Sequence, residues 1–329
     1  METRMLGSLW PVSVLTLGGG GIGQVWGSTN RDEAVATVRA AVESGISLID
    51  VAPSYGDGEA EEAVGLAFAG RPPDGVRVST KHHVGHDPVE VEAKMLASLD
   101  ASLTRLRLDF VDLLLLHSQI VPRPDPERET WTTPLPLFEE VARPALQKLV
   151  DEGRVGAWGI TAVQFPEVLE AVFSAPPVPQ VAQMVANVID APGDMAWTTA
   201  SPGPRQLIAR ASQAGLGVMG IRAVQAGALT DRLDRDLSVD HPARVDFERA
   251  APFREVAAGM GESAAAVAHR YALSMDGVDT VVLGVKNRSE LAECLAAAEA
   301  GPLPAEVIEL VDRATASLRP EATESTTAG

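Results

Sequence analysis

Three consecutive apolar segments of the sequence each end in a residue that can carry or transfer a proton. Asp50 closes one segment, Lys81 closes the next and His117 closes the third. Tyr55, one of only 2 tyrosines in the chain, follows Asp50 by five positions in a glycine-containing turn. An acid, an amine, an imidazole and a phenol together are a set suited to proton transfer.

Each of these residues has an ordinary structural explanation when it is taken alone. An aspartate at a strand end often caps the following helix, a lysine is usually solvated, and a histidine after an apolar run is commonly a hydrogen-bonded core residue. Their occurrence on successive segments, with the phenol beside the first, favours a functional site.

The chemistry suggested by the four residues is general acid catalysis by Tyr55. A phenol with a pKa of about 10 is a poor donor near neutral pH. A buried Lys81 ammonium beside it would favour the phenolate and lower that pKa, and Asp50 would keep the ammonium charged. His117 would hold the substrate oxygen or share the proton relay. A donor aimed at a carbonyl or alcohol oxygen needs a partner reaction at carbon, and hydride transfer from a nicotinamide supplies it.

The segments that carry these residues belong to a regular alternation of short apolar runs and amphipathic stretches. Eight runs that are too apolar to face water predict a parallel sheet covered by helices, and eight repeats in one chain favour closure into a (β/α)₈ TIM barrel. The predicted strands are 14–17, 47–52, 76–81, 109–117, 157–161, 180–186, 217–222 and 280–284.

One barrel domain is predicted to occupy residues 1–318, with a short hairpin at its N-terminus and a disordered tail at 319–329. Two long, irregular segments, 118–135 and 226–250, follow the fourth and seventh predicted strands. Loops that follow barrel strands lie on the face where active sites form, so both are expected to border the site.

Composition excludes several classes of function. Of 329 residues, 46% are hydrophobic and 22% charged, which is typical of a globular protein, and the formal charge of −18 argues against a nucleic-acid partner. No stretch resembles a signal peptide or a membrane span, and Cys294 is the single cysteine. The sequence therefore predicts a cytoplasmic protein with a small-molecule partner, either a monomer or a small homo-oligomer.

Two tempting patterns are set aside. The run Gly18–Gly23 contains G-x-G-x-x-G, but the only acid at the end of the following strand is Asp50, which has another role, so a Rossmann fingerprint is rejected. In "KHHVGH", His82 and His83 should point to opposite sides of a strand, and no carboxylate completes a set with His86. No metal site is expected, and a loop or substrate-side role is favoured for these histidines.

The segments "LIDVAPSYGDGEAEEAVG", "VSTKHH", "DLLLLHS" and "VVLGVKNRSELAECL" together resemble the aldo-keto reductase family. "LGGGGIGQVWG" and "IRAVQAGALT" are similar to its aldose (sugar) dehydrogenase-like branch. The resemblance implies that Asp50, Tyr55, Lys81 and His117 are the catalytic residues. It also implies hydride transfer between NADP(H), less often NADH, and an aldehyde, ketone or sugar carbonyl.

The same resemblance places the cofactor across the top of the barrel. Trp26 and Trp131 would form substrate walls, and Lys286 and Arg288 at a helix N-terminus would hold the 2′-phosphate, which favours NADPH over NADH. Departures from the family pattern are Ala162 after Thr161, where an asparagine is common, and Cys294. Arg222 also departs from the pattern, and it is expected to meet the pyrophosphate because a guanidinium suits phosphate geometry. The cofactor contacts implied by the resemblance are Gly19, Gly20, Thr161, Gln183, Gly284, Lys286, Arg288, Glu290 and Glu293.

Two other functions remain open from the sequence. The first is an NADP(H)-sensing binding protein on the same barrel, with little turnover. The second is a barrel isomerase or aldolase in which Lys81 forms a Schiff base, although that chemistry gives Tyr55 no role.

Overall fold

A computed structural model of the chain describes residues 1–163, 165–195 and 203–319. Eight strands form a closed barrel in which every neighbouring pair is parallel, and the eighth strand pairs with the first. The predicted (β/α)₈ TIM barrel is confirmed. The barrel strands, numbered here first to eighth, are Leu15–Gly18, Leu48–Asp50, Arg77–His82, Val111–Leu116, Val155–Thr161, Val181–Val185, Gly217–Ile221 and Thr280–Leu283.

Helices connect the strands and cover the outside of the barrel. The first long one begins as its sequence predicts, because the Asn30 side chain accepts a hydrogen bond from the Glu33 backbone N–H. The helices of eight or more residues are Arg31–Glu43, Glu59–Phe68, Val91–Leu106, Arg143–Asp151, Pro166–Ser174, Pro204–Gln213, Pro242–Arg249, Ala251–Met260, Ala264–Leu273, Arg288–Glu299 and Ala305–Thr315.

The predicted N-terminal hairpin closes one end of the barrel. Strand Thr3–Met5 pairs antiparallel with Pro11–Ser13. Leu6 and Val12 are buried in a cluster with inward-facing barrel residues. Burial of these apolar side chains fills the bottom of the barrel and leaves the carboxyl ends of the strands as the open end. The barrel members of the cluster are Leu48, Leu113, Leu115, Ala157, Val181 and Met219.

The two-residue period of a strand sorts the polar side chains of the third strand into two groups. Ser79 and Lys81 point into the barrel and contact Asp50. Thr80, between them, points outward and donates a 2.5 Å hydrogen bond to buried Glu61 on the covering helix. The alternation of side chains along the strand therefore places Lys81 inside the barrel.

The two long connecting segments are more regular than predicted. In 118–135, strands Gln119–Val121 and Thr132–Pro134 pair in parallel around a 3₁₀ turn, and 226–250 contains helix Pro242–Arg249. The prediction of irregular structure is wrong for these parts. The strands in 118–135 are only three residues long and lie in a proline-rich segment, so they show no period in the sequence. The helix in 226–250 has a weak apolar face.

Residues 320–329 of the predicted tail lie outside the described residues, while Arg319 hydrogen-bonds the Val188 carbonyl at 3.1 Å. Among the helices that the structure describes, none has the length and apolarity needed to cross a bilayer.

Candidate active site

Asp50 is the hub of a buried polar network at the open end of the barrel. It is 2% exposed and accepts hydrogen bonds from three side chains. The Lys81 ammonium donates to Oδ2 at 2.6 Å, the Ser79 hydroxyl to Oδ1 at 2.6 Å and the Gln183 amide to Oδ2 at 2.8 Å. Three donors hold the carboxylate in one orientation, so Lys81 is fixed by a well-satisfied partner.

Lys81 carries a positive charge in this environment. Burial alone would lower its pKa, but the Asp50 carboxylate, with a smaller contribution from Tyr55, raises the pKa above its ordinary value. Its ammonium also donates to the Val51 carbonyl at 2.9 Å. A Schiff-base lysine needs a lowered pKa to be nucleophilic. These contacts therefore disfavour the aldolase hypothesis for Lys81.

Tyr55 lies directly beside Lys81. The ammonium nitrogen is 5.0 Å from the centroid of the phenol ring. Burial raises the pKa of Tyr55 above 10; Lys81 opposes this shift and Asp50 adds to it. The expected lowering by Lys81 is present, but burial outweighs it, because removing the phenolate from water costs more than one paired ammonium returns. Tyr55 is therefore a protonated phenol at neutral pH.

His117 lies against the edge of Tyr55, with ring centroids 5.7 Å apart and planes at 84°. Burial, reinforced by Lys81 and then by His83, holds its pKa well below 6.5, so the imidazole is neutral. A neutral ring has one N–H donor and one acceptor. The four strand-end and turn residues singled out in the sequence thus form one cluster, which has the groups needed to protonate a carbonyl oxygen.

The first barrel loop comes close to this cluster because it lacks side chains. A Cβ at Gly19 would lie 2.9 Å from Cγ1 of Val51 and 3.1 Å from Cδ2 of Tyr55, and one at Gly20 would lie 2.6 Å from Nε1 of Trp26. Contacts below about 3 Å are not tolerated without movement. These two glycines permit the close approach of the loop that the sequence suggested.

Thr161 ends the fifth strand, Gln183 lies in the middle of the sixth, and both side chains are buried. The Thr161 hydroxyl donates to the Gln183 side-chain oxygen at 3.4 Å. The Gln183 amide nitrogen donates to Asp50, so this residue links the polar network to the neighbouring strands. Ala162 is also buried, and its backbone N–H bonds the Gln183 carbonyl at 2.8 Å.

Of the two predicted anion-binding cations, Lys286 precedes the helix Arg288–Glu299 and Arg288 is its first residue, and each forms ion pairs with acidic side chains. Lys286 pairs with Asp234 of the long seventh connection and with Glu290 at 3.0 Å. Arg288 forms a two-pronged pair with Glu33, at 2.9 and 3.1 Å. Sequence reasoning missed these partners.

Other predicted cofactor contacts gather around Trp26. The Arg222 guanidinium lies 5.7 Å from the Trp26 ring, and a Cβ at Gly284 would lie 3.5 Å from that ring. Trp26, predicted as a substrate wall, therefore lies among the predicted cofactor residues. Glu293 is exposed on the same helix as Arg288.

Trp131, the other predicted substrate wall, lies beside His83. It is 50% exposed, and its ring centroid is 4.8 Å from that of His83.

Cys294 faces the core beside His269, and burial raises its thiol pKa to about 12. Within the described residues, no group of three or more histidine, cysteine, aspartate or glutamate side chains is arranged to hold a metal ion.

Comparison with known proteins identifies the family of the chain. The sequence model of the Aldo/keto reductase family matches residues 14–316, which is nearly the whole chain. The chain belongs to this family. It is therefore an aldo-keto reductase family oxidoreductase.

Among similar proteins, the L-galactose dehydrogenase of Arabidopsis thaliana is 27% identical over 302 residues, covering 90% of this chain and 88% of that protein. The aldo-keto reductase YhdN of Bacillus subtilis is 33% identical over 146 residues, but the match spans only 42% of this chain and 40% of YhdN. The solved structure of the glycerol dehydrogenase AKR11B4 from Gluconobacter oxydans superposes with a TM-score of 0.72 at 26% identity, over 99% of this chain and 98% of that one.

Proposed function

We propose that this aldo-keto reductase transfers a hydride between NADP(H) and the carbonyl carbon of an aldehyde, ketone or sugar, in the cytoplasm. The observation that carries the proposal is the position of Tyr55, whose ring centroid lies 5.0 Å from the Lys81 ammonium and 5.7 Å from the centroid of His117. The L-galactose and glycerol dehydrogenases among its relatives support a carbonyl or alcohol substrate.

In the reducing direction, the Tyr55 hydroxyl donates its proton to the substrate oxygen. Lys81 stabilises the phenolate that remains, and Asp50 keeps Lys81 charged and in place. His117, being neutral, donates a hydrogen bond to the same oxygen. NADPH, when bound, would supply the hydride for the carbonyl carbon. Solvent returns the proton to Tyr55, which balances the reaction.

The residues at the barrel mouth fit a nicotinamide dinucleotide. Gln183 and Thr161 are an amide and a hydroxyl of the type that recognises a carboxamide. The N-terminus of helix Arg288–Glu299, flanked by Lys286 and Arg288, suits a phosphate through both helix dipole and charge. We infer a preference for NADPH over NADH from this second feature, with Arg288 binding the 2′-phosphate after it separates from Glu33.

Glu33 is therefore expected to compete with the cofactor for Arg288. Glu33→Gln removes the competing negative charge and should tighten NADPH binding about threefold to tenfold, with little change for NADH, because an exposed ion pair is weak. Fluorescence titration of Kd for both cofactors measures this without turnover. Glu170→Gln is the matched control, because it breaks the Arg210–Glu170 pair between two outer helices. An unchanged ratio of the two Kd values would contradict the role of Arg288.

The proposed activity is tested with a panel of aldehydes, ketones and sugars, following NADPH absorbance in both directions. We expect at least one carbonyl class to be reduced, with NADH giving a lower kcat/KM. Absence of turnover in both directions, with NADPH binding intact, would instead favour the NADP(H)-sensing alternative.

A further inference from the structure

Ser79 is a buried polar residue of the site to which the proposed mechanism gives no role. It points into the barrel from the third strand, directly opposite Asp50 in the strand register and two positions before Lys81. Inward positions of barrel strands are usually filled by branched apolar residues. Leu113, the neighbour of Ser79 on the fourth strand, is such a residue and belongs to the apolar cluster of the barrel bottom. A serine at this position therefore calls for an explanation.

The contact between Ser79 and Asp50 is short and shielded from water. The serine hydroxyl donates to Oδ1 at 2.6 Å, and the two residues are 0% and 2% exposed. Among the described residues, Ser79 is the only side chain that donates to Oδ1, whereas Lys81 and Gln183 both donate to Oδ2. One hydroxyl therefore holds the oxygen of the carboxylate that Lys81 does not contact.

We propose that Ser79 is a positioning residue for the proposed reaction, which fixes the Asp50 carboxylate, and through it the Lys81 ammonium, in the orientation that faces Tyr55. This inference rests on the proposed function, in which Tyr55 is the proton donor. With a donor on each oxygen, the carboxylate is held against rotation, so Lys81 keeps its 2.6 Å contact. Without the serine hydroxyl, Oδ1 has no donor, because the space that one hydroxyl leaves is too small for a water molecule.

The Ser79 hydroxyl also moderates the negative charge that Asp50 presents to Tyr55, because a hydrogen bond to a carboxylate stabilises that charge. Burial is the main cause of the raised pKa of Tyr55, and Asp50 adds to it. Loss of the hydroxyl should therefore raise the pKa of Tyr55 further. The other titratable side chains of the cluster are Lys81, His117 and His83. Burial keeps both histidines neutral, and the pKa of Lys81 should rise together with that of Tyr55, since the same carboxylate acts on both.

The experiment compares Ser79→Ala with Thr80→Val. Each variant removes one buried hydroxyl that donates to a buried carboxylate, since Thr80, the next residue of the strand, donates outward to Glu61 at 2.5 Å. Both variants should lose a similar amount of thermal stability. Only Ser79→Ala should lower kcat, by about fivefold to thirtyfold with little change in KM, because a hydrogen bond to a charged group is lost.

The pH dependence of kcat gives a second readout, which a purely structural serine would not change. In the direction of alcohol oxidation, which needs the Tyr55 phenolate, the rise of kcat in Ser79→Ala should move to higher pH by about half a unit or more. Ser79→Thr, which keeps the hydroxyl, should return both kcat and the pH dependence toward the wild-type values. Thr80→Val should leave the pH dependence unchanged.

A titration without substrate or cofactor separates failure of this inference from failure of the proposed function. The chain has 2 tyrosines, so in a Tyr271→Phe background the ultraviolet absorbance of phenolate reports Tyr55 alone. Phenolate that forms at higher pH in Ser79→Ala than in Thr80→Val supports the role of Ser79, even if the wild type turns over no carbonyl compound. Phenolate formation at the same pH in both variants, or equal losses of kcat, would overturn it, and the serine would then serve only the fold.

Discussion

Replacing Tyr55 with phenylalanine is expected to lower kcat about a hundredfold to ten-thousandfold, the usual contribution of a positioned general acid. The variant loses only the hydroxyl that donates the proton, because the ring, its packing on His117 and its contact with Lys81 remain. NADPH affinity should stay close to that of the wild type. Steady-state kinetics and a fluorescence titration measure the two quantities.

The chain offers a matched control for this variant in its second tyrosine. Tyr271 is 1% exposed on helix Ala264–Leu273, outside the site, and its hydroxyl bonds Arg205 and Asp312. Tyr271→Phe removes the same atom and should lower thermal stability, because two polar partners lose a bond, while kcat stays near the wild-type value. If Tyr55→Phe and Tyr271→Phe have equal kcat values, Tyr55 is not the proton donor.

The sequence predicted the barrel and the gathering of the four candidate catalytic residues because both depend on local periodicity. Eight apolar runs can bury both faces only in a helix-covered sheet. Once the sheet closes, the carboxyl ends of its strands meet, so Asp50, Lys81 and His117 must approach one another. Tyr55 follows from a short turn whose length leaves it little room elsewhere.

Two properties of the site could not be predicted from the sequence: the pKa of Tyr55, which results from opposing effects of burial and charge, and the contact of His83 with Trp131, which lies outside the barrel strands. Burial depth decides the pKa of Tyr55, and no pattern of residues reveals it. The contact between His83 and Trp131 depends on where the segment carrying Trp131 folds, and its three-residue strands are too short to show a period in the sequence.

The pairing of Glu33 with Arg288 could have been predicted from the sequence once the barrel was predicted. Glu33 lies in the first turn of the helix after the first strand, and Arg288 begins the helix after the eighth. Barrel closure makes those strands neighbours, so the opposite charges at the two helix starts meet across 255 positions of sequence.

Replacing Lys81 with methionine is expected to affect both folding and chemistry. The Asp50 carboxylate would remain buried without its ammonium partner, which costs about 3–5 kcal/mol of unfolding free energy. The Tyr55 phenolate would lose the one charge that opposes its burial, so kcat should fall at least tenfold. Urea unfolding and steady-state kinetics, measured where the variant is still folded, report the two effects.

A second substitution separates these two effects. In Lys81→Met with Asp50→Asn, both charges of the buried pair are removed, and the asparagine oxygen can still accept from Ser79 or Gln183. The double variant should therefore regain much of the lost stability, because replacing both members of a buried pair costs less than removing one. Its kcat should remain low, since no ammonium faces Tyr55. Recovery of both stability and kcat would mean that Lys81 supports only the fold.

An ion pair on the outer side of the third barrel strand provides a control for the inward position of Lys81. Arg105 donates to Glu61 at 2.6 Å, and Glu61 also accepts from Thr80, the outward neighbour of Lys81. Arg105→Met breaks an ion pair next to the same strand and should also lower stability, because the Glu61 carboxylate that remains is 0% exposed. Its kcat should stay near that of the wild type, since the pair faces the covering helix. A loss of kcat as large as in Lys81→Met would mean that any disturbance of the third strand inactivates the enzyme, and the inward ammonium would then have no specific role.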